Sequence, residues 1–205
     1  MPSPELEMII RALKKKGVTF EDGLTSTEFA GTETRYGFLF PPDLREFLSL
    51  ELPVSEGFPN WRTGLIQGPR GIIPIAEFLD RPTDGICFDI EHDNFWMQDW
   101  GPKPENFREA FQLAREMVKQ GPALIPIFQH RFLPAEPSLE GNPVLSVWQT
   151  DIIYYSTDLL SYFGKEFDLP FSNHGNGNRA PRRIRFWSDI IDKADVDFES
   201  ERGHL

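Results

Sequence analysis

The sequence predicts an α+β fold: one twisted, mainly antiparallel sheet with helices packed against it. Apolar stripes of helical period fill residues 3–50. From residue 72 onward, short apolar runs of strand length alternate with further helical stripes. The chain also carries 18 prolines among 205 residues, nearly twice the ordinary share of roughly 5%. Proline ends helices and cannot donate to a ladder, so elements should be short and strands should sit at edges.

The first helix starts at Ser3, with Pro4 at its first position and Glu5 and Glu7 in the opening turn. Leu6, Ile9, Ile10 and Leu13 fall on one face, Lys14–Lys16 suit the negative end of the dipole, and Gly17 is the stop. A second helix opens at Thr25, which has capping-box spacing to Glu28, and Gly37 ends it. Phe38-Leu39-Phe40 forms a corner, Pro41-Pro42-Asp43 starts a third helix, and Leu44, Phe47 and Leu48 face the core before Pro53. Residues 57–71 read as a loop or loose hairpin, and Ile72-Ile73-Pro74-Ile75 as an edge strand.

Residues 85–104 hold the most suggestive stretch. Ile86, Phe88 and Ile90 alternate with Cys87 and Asp89, the polar group Glu91-His92-Asp93-Asn94 follows, and Phe95-Trp96-Met97 resumes the apolar pattern. The alternation predicts a hairpin with an acidic tip, preceded by one helical turn near Ala76–Leu79. Phe107, Phe111, Ala114 and Val118 then mark a helix that stops at Gly121. Ala123–Phe128 is an apolar strand that Pro126 consigns to an edge or a bulge, and residues 130–141 read as a connection. Val144–Trp148 and Ile152–Tyr155 are strands, with Trp148 assigned to the core, and Ser156 or Thr157 caps a helix with Leu159, Leu160, Phe163 and Phe167 inward. Residues 171–181 read as a loop and residues 184–187 as extended. Ser188 caps a short helix, and the acidic tail beyond it is expected to fray.

The net charge of −11 disfavours nucleic acid and anionic membrane as partners and favours encounter with a basic protein. The single cysteine, Cys87, excludes an internal disulfide and fits a reducing compartment. The amino terminus lacks a signal-peptide layout, and no apolar run spans a bilayer, so the expected location is the cytoplasm. Arg182, Arg183 and Arg185 are expected to pair with the chain's own Asp189, Asp192 and Asp195.

The run Tyr36-Gly37-Phe38-Leu39-Phe40-Pro41-Pro42-Asp43 followed by Phe47-Leu48, together with Asp151-Ile152-Ile153-Tyr154-Tyr155-Ser156-Thr157-Asp158-Leu159, resembles the SUKH superfamily of Syd, US and Knr homologues. The resemblance covers residues 25–168. It leaves residues 1–24 as an N-terminal helical extension and residues 169–205 as a C-terminal extension packing on the same domain. It implies an α+β module without a catalytic constellation. Bacterial members serve as immunity proteins that neutralise a toxin, often a nuclease, and eukaryotic ones as regulatory interaction modules.

The chemistry-bearing residues permit three readings. The first is a non-catalytic binding module that occludes a protein partner, in its most concrete form a basic toxin. Its expected contact residues are Trp61, Asp89, Glu91, Asp93, Trp96 and Trp100, the aromatics as anchors and the acids in place of phosphates. The second is an intracellular regulatory scaffold contacting the cell's own enzymes. The third is a metal-dependent hydrolase built on Asp89, Glu91, His92 and Asp93, with His130 or Asp99 in support. No His-x-x-x-His pair, and no Glu-x-x-His pair at His92 or His130, supports the third. Cys87 has no sequence neighbour to activate it, and no nucleophile elbow or phosphate-binding glycine loop is present. The first reading, with no cofactor and no enzymatic activity, is the one adopted.

Overall fold

The computed structural model describes residues 3–69, 71–170 and 180–202, with side chains through residue 194 in the last helix. Three helices open the chain: α1 (Pro4–Lys15), α2 (Ser26–Tyr36) and α3 (Pro42–Leu50). α1 and α3 bury their predicted stripes, Leu6, Ile9, Ile10 and Leu13 in the first and Leu44, Phe47 and Leu48 in the second, while α2 buries Phe29 and Thr32. The capping box at Thr25 and Glu28 is formed in both directions. Gly37 ends α2 in the left-handed region (φ 75°), a conformation that costs glycine no Cβ clash.

Five short strands make two separate sheets. β1 (Phe20–Asp22) pairs with β2 (Glu51–Pro53), and β3 (Pro59–Asn60), β4 (Leu65–Gly68) and β5 (Gly71–Pro74) form a three-stranded sheet with β5 at its edge. The third sheet is a meander of β6 (Leu124–Phe128), β7 (Arg131–Pro134), β8 (Val144–Trp148) and β9 (Asp151–Ser156). All pairings among the described residues are antiparallel. The single sheet expected from sequence is therefore three. Prolines 53, 59, 74, 126 and 134 each stand within a strand, where the missing N–H interrupts any longer shared ladder.

The largest departure from expectation is α4 (Ile75–His92). Residues 86–90 are helix rather than strand, and no hairpin exists there. Ile75, Phe78, Pro82, Ile86, Asp89 and Ile90 are buried along one face, while Phe88, the residue that completed the strand-like alternation, points to solvent. Burial of Pro82 against the core offsets the hydrogen bond it removes. Phe78 stacks on Phe132 of β7 with ring centroids 5.7 Å apart, so α4 covers the inner face of the four-stranded sheet.

α5 (Phe107–Val118) packs on α4 through Ala110 and Ala114. Their small side chains let the helices approach closely. Phe107, assigned inward from its spacing, is exposed. β7 lies where a connection was expected; at four residues closed by Pro134 it gives too short an alternation to read. α6 (Leu159–Glu166) is capped by Asp158 rather than by Ser156 or Thr157, and its Leu160 faces outward. α7 (Trp187–Arg202) continues helical where fraying was expected. Of the loop at 171–181, residues 171–179 lie outside the described residues. One hydrophobic cluster joins α1, α3, α4, the sheets, α6 and α7, with Leu13, Phe47, Ile86, Leu145, Phe163 and Trp187 among its members.

Arg62, in the connection after β3, ties the start of α2 to β1. Its guanidinium donates to Glu28 Oε1 at 2.5 Å and Glu21 Oε2 at 2.8 Å, and to the carbonyls of Asp22 and Gly23. The Arg62 bond, with further help from the Thr25 cap, lowers the Glu28 carboxyl from its ordinary 4.5 to about 2. A carboxyl depressed on folding stabilises the native state above its unfolded pKa, and that contribution is lost as pH falls. The window is therefore about 4.5 down to about 2. Thermal midpoints measured across this window should fall more steeply in the wild type than in Glu28→Gln. Parallel curves for the two proteins contradict the assignment.

Candidate functional site

The six residues expected to form a contact surface separate into three environments. Trp61, 4% exposed, sits beneath the corner after α2, its ring edge-on to Phe40 at 5.1 Å and to Phe38 at 6.0 Å. It was expected as an aromatic anchor, but the aromatic corner closes over the indole. Trp61 is a core residue.

Asp89, 4% exposed, is also withdrawn from the surface. One carboxylate oxygen accepts the Thr150 backbone N–H at 2.8 Å and the Thr150 hydroxyl at 2.5 Å; the other, Oδ1, has no partner. Asp89 therefore fastens α4 to the turn between β8 and β9. Gly85, one helical turn earlier, supports the same junction, because a Cβ there would lie 2.6 Å from the Cα of Gln149. No residue larger than glycine fits without moving the turn.

Glu91, His92 and Asp93 are exposed at the end of α4. Asp89 is instead buried and engaged by Thr150, so the four side chains proposed for a metal do not form one site. Among the described residues no group of three or more His, Cys, Asp and Glu side chains is placed to hold a metal ion. Cys87 is buried, and burial pushes its thiol up, away from the reactive thiolate.

Trp96 is half-buried and donates its indole N–H to the Gly101 carbonyl at 2.7 Å. Trp100, 8% exposed, lies edge-on to Trp96 at 5.2 Å and parallel to Phe186 at 6.1 Å. Trp100 is thus a bolt between the loop after α4 and the C-terminal segment, not a surface anchor. The loop it holds is acidic: Asp93, Asp99, Glu105 and Glu109 are exposed and make no ion pair among the described residues. Lys103 is occupied by the Ile90 carbonyl and Asn94 Oδ1. Glu91 and Asp93 therefore belong to an acidic stretch over residues 91–109, in which five acids outnumber Lys103 and Arg108.

The C-terminal arginines are mostly spent within the molecule. Arg183 pairs with Asp189 and Asp192, as expected, while Arg182 donates to Asn142 Oδ1 and Arg185 faces Glu136 at 4.0 Å.

Sequence reasoning missed the outer face of the four-stranded sheet. The register pairs Arg131 with Ser146, Ser146 with Ile153, and Trp148 with Asp151, and directly paired residues share a face. Arg131 donates to Glu166 Oε2 at 3.0 Å and to Ser146 Oγ at 2.8 Å, and its guanidinium lies 3.8 Å from the Tyr155 ring centroid. Lys165 contacts the same ring at 3.9 Å. Burial, reinforced by the Glu166 carboxylate, pushes the Tyr155 phenol above the usual tyrosine range, and burial plus the Arg131 charge hold His130 below the usual histidine value. Trp148, assigned to the core from its apolar neighbours, is 63% exposed beside Ile153 at 49%. The signal that could have placed it is the parity of β8, where Leu145 and Val147 are buried and Ser146 and Trp148 are not.

The chain matches no family model, no curated protein and no solved structure. Among the described residues no helix is long and apolar enough to cross a membrane.

Proposed function

We propose that this protein works in the cytoplasm by stoichiometric capture of a basic protein partner, as an immunity-type module of SUKH-like character that occludes a toxin. The observation that carries this reading is the group of exposed carboxylates over residues 91–109, of which Asp93, Asp99, Glu105 and Glu109 have no ion pair among the described residues, set within a chain of net charge −11. Carboxylates held on a rigid support stand in for the phosphates a basic nuclease recognises, and they steer such a partner into contact. The packing of Trp100 on Phe186 and the Trp96–Gly101 hydrogen bond hold the acidic loop in place, so little ordering entropy is lost on binding. No catalytic residue is assigned; the reading is one of binding. Co-production in bacteria with a panel of basic nuclease toxin domains tests it. The expected result is restored growth with one toxin and co-purification of that toxin. Failure to rescue growth from any toxin, with none retained on the purified protein, removes the reading.

A further inference from the structure

The outer face of the four-stranded sheet repeats one motif, an aromatic ring beside a carboxylate, but fills it only once. At the inner repeat Tyr155 is contacted by two cations, Arg131 at 3.8 Å and Lys165 at 3.9 Å, and Arg131 is held by the Glu166 carboxylate at 3.0 Å. At the outer repeat Trp148 stands directly across the strands from Asp151, which places their Cβ atoms about 5 Å apart. Trp148 is 63% exposed, and its ring neighbour among the described residues is His130, edge-on at 6.3 Å. Among the described residues no lysine or arginine lies over the Trp148 ring, and the exposed Asp151 carboxylate has no ion pair.

We infer that Trp148 and Asp151 form a seat for an arginine side chain presented by the partner. The inference rests on the capture reading above and names the contact that capture would use. A guanidinium can stack flat on the indole and donate two parallel hydrogen bonds to the carboxylate, which an ammonium cannot do as well. Ile153, on the same face and 49% exposed, takes the apolar residue beside the arginine. The seat is pre-organised. Its two members flank the Gln149-Thr150 turn, and Asp89 and Gly85 clamp that turn to α4. The same clamp joins the turn to α4, whose last turn carries the exposed Glu91.

The test is an NMR titration of the full-length protein, labelled at nitrogen, with the capped peptide Ala-Leu-Arg-Leu-Ala. The same peptide carrying citrulline, which has arginine's shape without its charge, serves as the control. The Trp148 indole resonance, assigned by its loss in Trp148→Ala, should shift and saturate with the arginine peptide and stay still with citrulline. Asp151→Asn should weaken the arginine peptide roughly fivefold while leaving the rest of the spectrum unchanged. An unmoved Trp148 resonance, or equal shifts with both peptides, overturns the seat. So does a shift that follows protein concentration without peptide, which makes a second copy of the chain the occupant. Toxin neutralisation that survives intact in Trp148→Ala and Asp151→Asn removes the seat while leaving capture standing. Arginine-specific binding without neutralisation of any toxin removes capture while leaving the seat.

Discussion

Replacing Arg131 by methionine should destabilise the fold by about 3–5 kcal/mol, the range found when one partner of a buried ion pair is removed. Arg131 and Glu166 keep only 11% and 17% side-chain exposure, so water does little to screen the charge left behind. The substitution strands the Glu166 carboxylate, leaves the Ser146 hydroxyl without its donor, and removes one of the two cations on Tyr155. The pair itself need not be stabilising relative to an apolar substitute, because desolvating two ions can offset their attraction. The double variant Arg131→Met with Glu166→Leu should therefore recover most of the loss. Urea denaturation of the wild type, both single variants and the double variant gives the coupling directly. Losses that simply add contradict a buried, coupled pair.

Asp89→Leu should cost about 2–3 kcal/mol, and through a different mechanism. The carboxylate accepts two hydrogen bonds from Thr150, and bonds to a charged acceptor contribute roughly 1.5–3 kcal/mol each. Part of that is returned because leucine also removes the unpartnered Oδ1 from the interior. Asp89→Asn keeps an acceptor toward Thr150 and should lose less than the leucine variant. Hydrogen exchange at the Thr150 amide separates the variants. Protection should persist in Asn and collapse in Leu, and equal protection in both removes Asp89 from its role as the clamp. Any effect of Asp89 on partner binding then follows from the position of the turn, not from contact.

The helical half of this architecture was legible because its signals are local. Capping at Thr25, the stripe of α1 and the stop at Gly37 depend on neighbours within a few residues, and all are present. α4 was misread because two periodicities share the same residues. Ile86 and Ile90 satisfy both i, i+4 and alternation, and Pro82 and Gly85 look like breaks. Only tertiary burial of Pro82 and the close approach of Gly85 to Gln149 decide between them. The expectation of one sheet failed because pairing partners are not encoded locally, while the prolines that divide the ladders are. Of the expected contact residues, Glu91 and Asp93 lie on the surface, whereas Asp89, Trp61 and Trp100 are drawn inward by contacts more than twenty residues away in sequence. Trp148 went unrecognised because burial on one face of a strand and exposure on the other are symmetric until the sheet's neighbours are known.

Capture by charge is tested most directly by immobilising the wild type beside a variant with Glu91, Asp93 and Asp151 all changed to lysine. Both are exposed to the same cell lysate at low salt, and what each retains is identified by mass spectrometry as salt is raised. A basic protein held one-to-one by the wild type, released by salt and not held by the reversed variant, is the predicted result. A stoichiometric partner held equally by both proteins, or indifferent to salt, contradicts it.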